Sequence, residues 1–501
     1  MATILDAILA HPPHAIALRS PSGETTSYGE LAQGSARVAN VLTRDHGVEP
    51  GDRVAMLFEP GPAFVATLLG AWRARATVLV LTHLHPPKER TMLVSDARPR
   101  VIVCSELHEA AARESAGVVP LVPWRTVHDG DGAGGFATPA NGPRPAAHER
   151  ALQMYTSGTT GKPKGVILQH GQLEAQLAAL ANAWEMSSAD VLVHALPLHH
   201  IHGLAIAMLN VLRVGGAVEL HPTFDAHAVL EACAHATVFM GVPTMVARLV
   251  DAIDAMSEGE RDKASRHLRA MRLCVSGSAA LPVSLGNRWS MHAGAYPLER
   301  FGMTELGVAL SNPLARERVP GSVGRALPGV LVRVIDESGS DANEGELLVG
   351  GPSVFEGYFE RPEANAESFL EHGGTRFFRT GDTARIDEAG RVRILGRTSV
   401  DILKSAGYKL SAIEIEEALR RHPSVRDAAV VGLPSETYGQ IVAAAIMVAE
   451  GSTPTPEELG AFLEQELAPY KLPRRWLFVQ DVPRNALGKV VKPELVKLFA
   501  E

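Results

Sequence analysis

The sequence predicts an α/β and α+β multidomain protein. A large N-terminal domain of two doubly wound sheets carries a β-rich subdomain, and a small C-terminal α+β domain follows. Three observations predict it. The chain has 501 residues, more than one hydrophobic core usually supports. Before residue 300, short apolar runs alternate with helical spacing in two successive series, the pattern of parallel strands joined by crossover helices. From Pro320 the pattern changes to short strands punctuated by glycine, and the residues after Asp401 carry a mixed pattern of their own. The expected boundaries are residues 1–396, with the β-rich part at about 320–396, a joint at 397–401, and residues 402–501.

The first unit reads as helix 30–42, strand 53–58, helix 63–71 and strands 77–81 and 101–104. Residues 128–148 then shift to Gly, Ala and Pro without periodicity, as an exposed connection would. The second unit reads as helix 173–184, strand 190–196, helix 204–212, strand 217–220, helix 226–234, strand 237–242, helix 244–253, strand 272–276 and helix 284–292. In such sheets ligands collect beyond the carboxyl ends of the strands. That rule singles out residues 197–203, 241–243, 276–279 and 300–305. Strands 330–335, 346–349 and 392–394 make the β-rich part. Helix 412–421, strands 428–431 and 442–447, helix 456–467 and strand 476–479 make the last domain.

Composition excludes several classes of function. Apolar content of 46% and charged content of 21% are ordinary for a soluble globular protein. A formal net charge of -8 leaves no footprint for nucleic acid or an anionic membrane. Cys104, Cys233 and Cys274 are scattered and odd in number, which fits reduced, buried thiols and no disulfide framework. The first residues lack a basic segment ahead of their short apolar run, against a secretory signal. The longest apolar helix candidate, 203–212, is too short to cross a bilayer. A cytoplasmic location is expected, or an organelle if a transit peptide has been removed.

Residues 156–165 read Thr-Ser-Gly-Thr-Thr-Gly-Lys-Pro-Lys-Gly. Glycines let successive N–H groups converge on one concavity, hydroxyls donate hydrogen bonds, and lysines add positive charge. That is chemistry for a polyphosphate. Apolar runs at 152–155 and 166–168 flank the stretch, so it should join the two strands of a hairpin. Pro163 after Gly161-Lys162 breaks the Walker pattern, in which Lys precedes Ser or Thr and leads into a helix.

With six further motifs in order, the chain resembles the acyl-adenylate-forming (AMP-binding) superfamily, acyl-CoA synthetase branch. They are Phe301-Gly-Met-Thr-Glu305, Tyr358-Phe-Glu-Arg-Pro362, Arg379-Thr-Gly-Asp382, Gly396-Arg397 with Asp401, Gly407-Tyr-Lys409 with Glu414-Ile-Glu416, and Pro483-Arg-Asn-Ala-Leu-Gly-Lys489. The resemblance implies ATP and CoA as substrates, Mg²⁺, and a mobile C-terminal domain. By it, Thr156, Ser157, Gly158, Thr159, Thr160, Gly161, Lys162 and Lys164 hold the ATP phosphates and Phe301 stacks on adenine. Thr304 bonds a phosphate oxygen, Glu305 binds Mg²⁺, and Asp382 takes the ribose hydroxyls with Arg397 nearby. Lys489 serves the first half-reaction, in which the substrate carboxylate attacks the α-phosphate. For the second, the C-terminal domain turns about Asp401 and brings the stretch with Lys404, Gly407 and Lys409 to the site, with His200 toward the pantetheine channel. This chain has Ala406-Gly407 where many relatives have Gly-Gly, which adds a methyl beside that path.

Relatives that take aryl or long-chain acids commonly carry a small residue just before the adenine-stacking aromatic. This chain has Arg300. A guanidinium there obstructs a long apolar tunnel and offers a bidentate partner to a second carboxylate. The stretches 199–203, 240–243, 276–279 and 298–305 are similar to the malonyl-CoA synthetase group. In that likeness Arg300 binds the distal carboxylate, while His202 and Ser276 line a small acyl pocket. An ion pair of Arg300 with Glu299, or a zinc site on His199 and His202, is the competing structural account. The competing activities are short- or medium-chain fatty or aryl acyl-CoA synthesis, and loading of a carrier protein. With no carrier domain after Glu501, CoA is the expected acceptor. The expected partners are therefore small molecules, with no nucleic acid, membrane or obligate protein partner.

Overall fold

The computed structural model describes residues 3–128, 144–156, 163–315, 318–405, 408–435, 438–484 and 488–500. Two large sheets carry most of the first 360 residues. The seven-stranded sheet runs in the order Gly357–Tyr358, Lys164–Gln169, Arg150–Thr156, Thr77–Val80, Arg53–Leu57, Val101–Cys104, Leu121–Pro123. Val101–Cys104 is buried at every position, as expected where helices cover both faces of parallel strands.

In the nine-stranded sheet six central strands are parallel: Leu298–Met303, Leu273–Ser276, Val238–Gly241, Val191–His194, Ala217–Leu220 and Ile16–Arg19. Antiparallel strands close both ends, Gly307–Ser311 with Arg325–Ala326 at one and Thr25–Ser27 at the other. Helices pack the faces. Ser27 caps Tyr28–Asn40 and Glu30 returns the bond to the cap's N–H, a reciprocal pair that satisfies two otherwise orphaned donors. That helix lies tightly on Pro62–Arg73, where a Cβ on Gly70 would meet the Val38 side chain at 2.4 Å. One apolar core extends through both sheets and takes in Trp72, Trp184 and Trp289.

The structure departs from the sequence reading in three places. First, the two units are not consecutive. Ile16–Arg19 and Thr25–Ser27 cross to the nine-stranded sheet, and Gly357–Tyr358 returns to the seven-stranded one. Tyr28 fastens the first crossing, its hydroxyl donating to the carbonyl oxygens of Gly216 at 2.7 Å and Leu212 at 3.1 Å. Second, the helix expected at 204–212 is π-helical over His202–Leu209 and α-helical over Asn210–Arg213. A Cβ on Gly203 would lie 2.3 Å from the Pro197 carbonyl oxygen, so this tight start needs glycine. Third, Arg300, Phe301, Gly302 and Met303 are the last residues of the strand Leu298–Met303 and do not lie beyond a strand end. The chain turns at Thr304 and runs back as Gly307–Ser311.

The β-rich part is an antiparallel sheet of Leu331–Ile335, Glu344–Gly350, Thr375–Ile386, Phe369–His372 and Val392–Arg397. Beyond it, Ile402–Ser405, Tyr408–Ser411, Val425–Ser435, Gly439–Val448 and Arg475–Phe478 form a separate sheet. That sheet has its own apolar clusters, one around Ile415, Val430 and Leu459 and another around Val431, Val482 and Leu495. Among the described residues no helix is long and apolar enough to cross a membrane.

Candidate active site

A cleft of about 1760 Å³ separates the large sheets from the C-terminal sheet, and Ser276, Arg300, Phe301, Asp382, Arg397 and Lys489 line it. Five polypeptide segments contribute those six side chains, which sequence reading had assigned to two ends of one site.

At one end, the strand Leu273–Ser276 stops in the turn Gly277-Ser278-Ala279. Ser278 has φ +69°, a left-handed conformation that costs a non-glycine residue about 1–3 kcal/mol and concentrates at functional sites. It sets Ser278 Oγ 3.1 Å from His202 Nδ1. Among the described residues, His202 Nε2 and Ser276 Oγ are buried without hydrogen-bond partners. Arg300 is only 6% exposed, and its Nε and Nη2 also have no partner. Burial draws its pKa down to about 10, so it remains a cation at neutral pH. The ion pair with Glu299 is absent. Glu299 accepts the Gly321 N–H at 3.0 Å instead. Burial, reinforced by the nearby Glu417 carboxylate, raises its pKa to about 8, so its side chain is mostly protonated at neutral pH.

At the other end, Asp382 lies on Thr375–Ile386 and Arg397 ends the neighbouring strand Val392–Arg397. Arg397 Nε is 3.1 Å from Asp382 Oδ1, and Arg397 Nη1 donates to the Thr380 carbonyl at 2.7 Å. Asp382 Oδ2 is buried without a partner. Burial raises the Asp382 pKa to about 6, against the opposing pull of Arg397 and Lys489. Lys489 joins this group from the C-terminal end of the chain. Burial and Arg397 lower its pKa, while Asp401 and Asp382 favour its charge. Asp401 itself accepts the Arg397 N–H at 2.9 Å and pairs with Lys492 at 2.6 Å. Residues 397–401 therefore form a tight turn held from both sides.

A third corner holds Glu305, buried at 5% exposure. Tyr358 donates its hydroxyl to Glu305 Oε1 at 3.0 Å, and Lys164 Nζ sits 5.0 Å from the centre of the Tyr358 ring. Burial raises the Glu305 pKa, and among the described residues no cationic side chain pairs with it. Thr304 faces a small hollow beside Gln172 and Gln176. Thr156 stands directly across the hairpin from Lys164. Ser157, Gly158, Thr159, Thr160, Gly161 and Lys162, like Gly407, lie outside the described residues.

Of the residues expected to serve the second half-reaction, Lys409 lines this cleft, whereas His200 and Lys404 do not. His200 packs its ring 4.1 Å from His199, in a cluster with His85, where burial and His85 draw its pKa down to about 4. Lys404 and Lys409 face each other across the hairpin Ile402–Ser405 and Tyr408–Ser411. Lys409 pairs with Glu337 at 2.6 Å on the rim. Ser278 was not legible as a site residue, because a left-handed serine has no compositional mark. The task of Tyr358, its hydrogen bond to Glu305, depends on a contact across 53 positions of the chain.

A carboxylate accepts hydroxyl hydrogen bonds more strongly than its protonated form, so with Asp382 proposed as the ribose acceptor its raised pKa predicts a pH dependence. The carboxylate is present above about pH 6 and is lost below it. ATP affinity is therefore expected to weaken as pH falls from 7.5 to 5.5, and Asp382→Asn should remove that dependence. Titrating nucleotide binding at both pH values in the two proteins checks it.

Fold and cleft together define a class, that of the adenylate-forming enzymes. The chain belongs to the AMP-binding enzyme family, whose match covers residues 5–359, while the AMP-binding enzyme C-terminal domain matches residues 414–489. The mitochondrial malonate–CoA ligase ACSF3 of Mus musculus is 39% identical over 526 residues, covering 96% of this chain and 88% of its own. The ATP-bound structure of MatB from Rhodopseudomonas palustris superposes with a TM-score of 0.91 at 35% identity, covering 100% of this chain and 99% of that one. The apo structure of the same protein gives 0.82 at the same identity and coverage, so the arrangement seen here is nearer the ATP-bound one.

Proposed function

We propose that this AMP-forming acid–CoA ligase activates malonate with ATP and transfers it to CoA, releasing AMP and pyrophosphate. Methylmalonate fits the same reading, because one methyl group changes binding in an apolar pocket by only about 1–3 kcal/mol. The observation that carries the reading is Arg300, a buried cation whose two unpartnered nitrogens, Nε and Nη2, form the side of the guanidinium that takes a carboxylate bidentately. Its relative in mouse, a malonate–CoA ligase by name, supports the choice of acid.

In this reading Arg300 receives the distal carboxylate, and Ser276 and His202 enclose the short carbon chain. The proximal carboxylate then points toward Lys489 and the nucleotide. Phe301 stacks on adenine, Asp382 and Arg397 hold the ribose, and Thr304 with the loop 156–164 takes the phosphates. Glu305 fits a Mg²⁺ site, since one buried carboxylate beside phosphate oxygens is how this hard cation is commonly held. Bound there, the cation supplies charge neutralisation on the phosphates. The carboxylate oxygen forms a bond to the α-phosphorus as the bond to pyrophosphate breaks. Residues 1–396 act as the body and 397–401 as the hinge for residues 402–501. Turning that domain brings the Lys404–Lys409 hairpin in place of Lys489, with His200 toward the pantetheine arm. The CoA thiolate then attacks the acyl carbon, the C–S bond forms, and AMP leaves with the electrons of the C–O bond.

The test is CoA-thioester formation with malonate, methylmalonate, acetate, octanoate and benzoate. Malonate or methylmalonate is expected to give the highest kcat/KM. Robust octanoate or benzoate turnover with little malonate turnover would overturn the reading.

A further inference from the structure

We propose that Gly277 is a specificity-determining position for the acid. The missing side chain there lets the Arg300 guanidinium lie flat on the turn with its carboxylate-binding edge correctly aimed. The inference rests on the reading of Arg300 as the anchor for a second carboxylate, and it extends that reading to a residue that touches neither acid nor nucleotide.

Four observations carry it. A Cβ on Gly277 would lie 2.5 Å from both Cζ and Nε of Arg300 and 2.8 Å from Nη2. These are its three nearest neighbours, so the collision is with the guanidinium and specifically with the edge whose nitrogens are unpartnered. Gly277 is not among the positive-φ glycines, so its backbone conformation does not itself require glycine. The turn cannot back away, because the Gly277 N–H donates to the Gly241 carbonyl at 3.2 Å and Ser278 Oγ is 3.1 Å from His202 Nδ1. The guanidinium is itself nearly inaccessible to solvent, which leaves the cleft as its way out.

A methyl at 277 therefore pushes the guanidinium by roughly 1 Å to restore ordinary contact, into the space the acid needs. Misplacing a positioning group by about 1 Å costs on the order of 10²-fold when alignment is strict. The acid should be affected more than the nucleotide, because the three atoms nearest a Cβ at 277 all belong to Arg300.

The test compares Gly277→Ala, Arg300→Ala and the double variant in pyrophosphate exchange with malonate. Thermal unfolding without ligand is measured in parallel. Gly277→Ala is expected to lower kcat/KM for malonate by about 10- to 100-fold, chiefly through KM for malonate, with KM for ATP unchanged. In the Arg300→Ala background the same change should do nothing further, to activity or to melting temperature, since the group it strikes is gone. Unaltered malonate use in Gly277→Ala, or losses that multiply in the double variant, overturns the proposal. If Arg300→Ala itself leaves malonate use intact, the dicarboxylate reading fails. The Gly277–Arg300 coupling is then decided separately by the unfolding cycle, and independent effects on melting temperature would reject it.

Discussion

Lys489→Ala is expected to slow acyl-adenylate formation by about 10²- to 10³-fold, the usual cost of removing one preorganised charge donor from a transition state. The conversion of a supplied acyl-adenylate to the CoA thioester should keep most of its rate. The reason is local charge. When the carboxylate meets the α-phosphate, two anions crowd together, and an ammonium beside them offsets the repulsion most strongly where water is excluded. The Lys489 side chain is exposed toward the cleft, and Asp382 and Asp401 favour its charged form against desolvation and Arg397. Its placement depends on the joint, where Asp401 is fastened to the Arg397 backbone and to Lys492. Pyrophosphate exchange reads the first half-reaction, and acyl-adenylate mixed with CoA reads the second. Equal losses in both would show that Lys489 is not confined to the first.

Legibility in the sequence followed burial. Strands such as Val101–Cys104 and Val238–Gly241 are buried at every position and so read as short apolar runs. The hairpin around 156–165 was legible because apolar strands flank a stretch of turn residues, and Arg150–Thr156 does pair with Lys164–Gln169. Thr25–Ser27 and Gly357–Tyr358 join their sheets at short edges, where backbone hydrogen bonds decide the partner and side chains carry little signal. The helix Glu258–Ala270 was not foreseen, since it is mostly charged and buries only Ala264, Ser265 and Leu268. In the site, Ser276, Arg300, Asp382, Arg397 and Lys489 line one cleft. The raised pKa of Glu299 was not legible, because it follows from burial and from Glu417, a residue 118 positions away in the chain. A pair of neighbours reading Glu-Arg suggests an ion pair, yet adjacent residues of a strand point to opposite faces.

Arg300→Met should have two opposite effects, and their combination separates a substrate anchor from a structural arginine. Losing a hydrogen bond to a charged group costs about 1.5–3 kcal/mol, so kcat/KM for malonate is expected to fall by about 10- to 150-fold. Ligand-free stability should rise. A buried ion without a partner carries a desolvation penalty of about several kcal/mol, and apolar replacement at similar volume relieves it. The penalty is visible here as the fall of the Arg300 pKa to about 10 through burial alone, with Nε and Nη2 unpaired and Glu299 engaged with the Gly321 backbone. If Arg300 instead held the fold together, removing it would lower the melting temperature and impair every acid alike. Malonate should also raise the melting temperature of the unmodified protein more than acetate does, because only the dicarboxylate returns a counter-charge to that guanidinium. In Arg300→Met the difference between the two acids should vanish. A variant that melts lower than the parent, or one that malonate still stabilises over acetate, would sink the assignment of the distal carboxylate to Arg300.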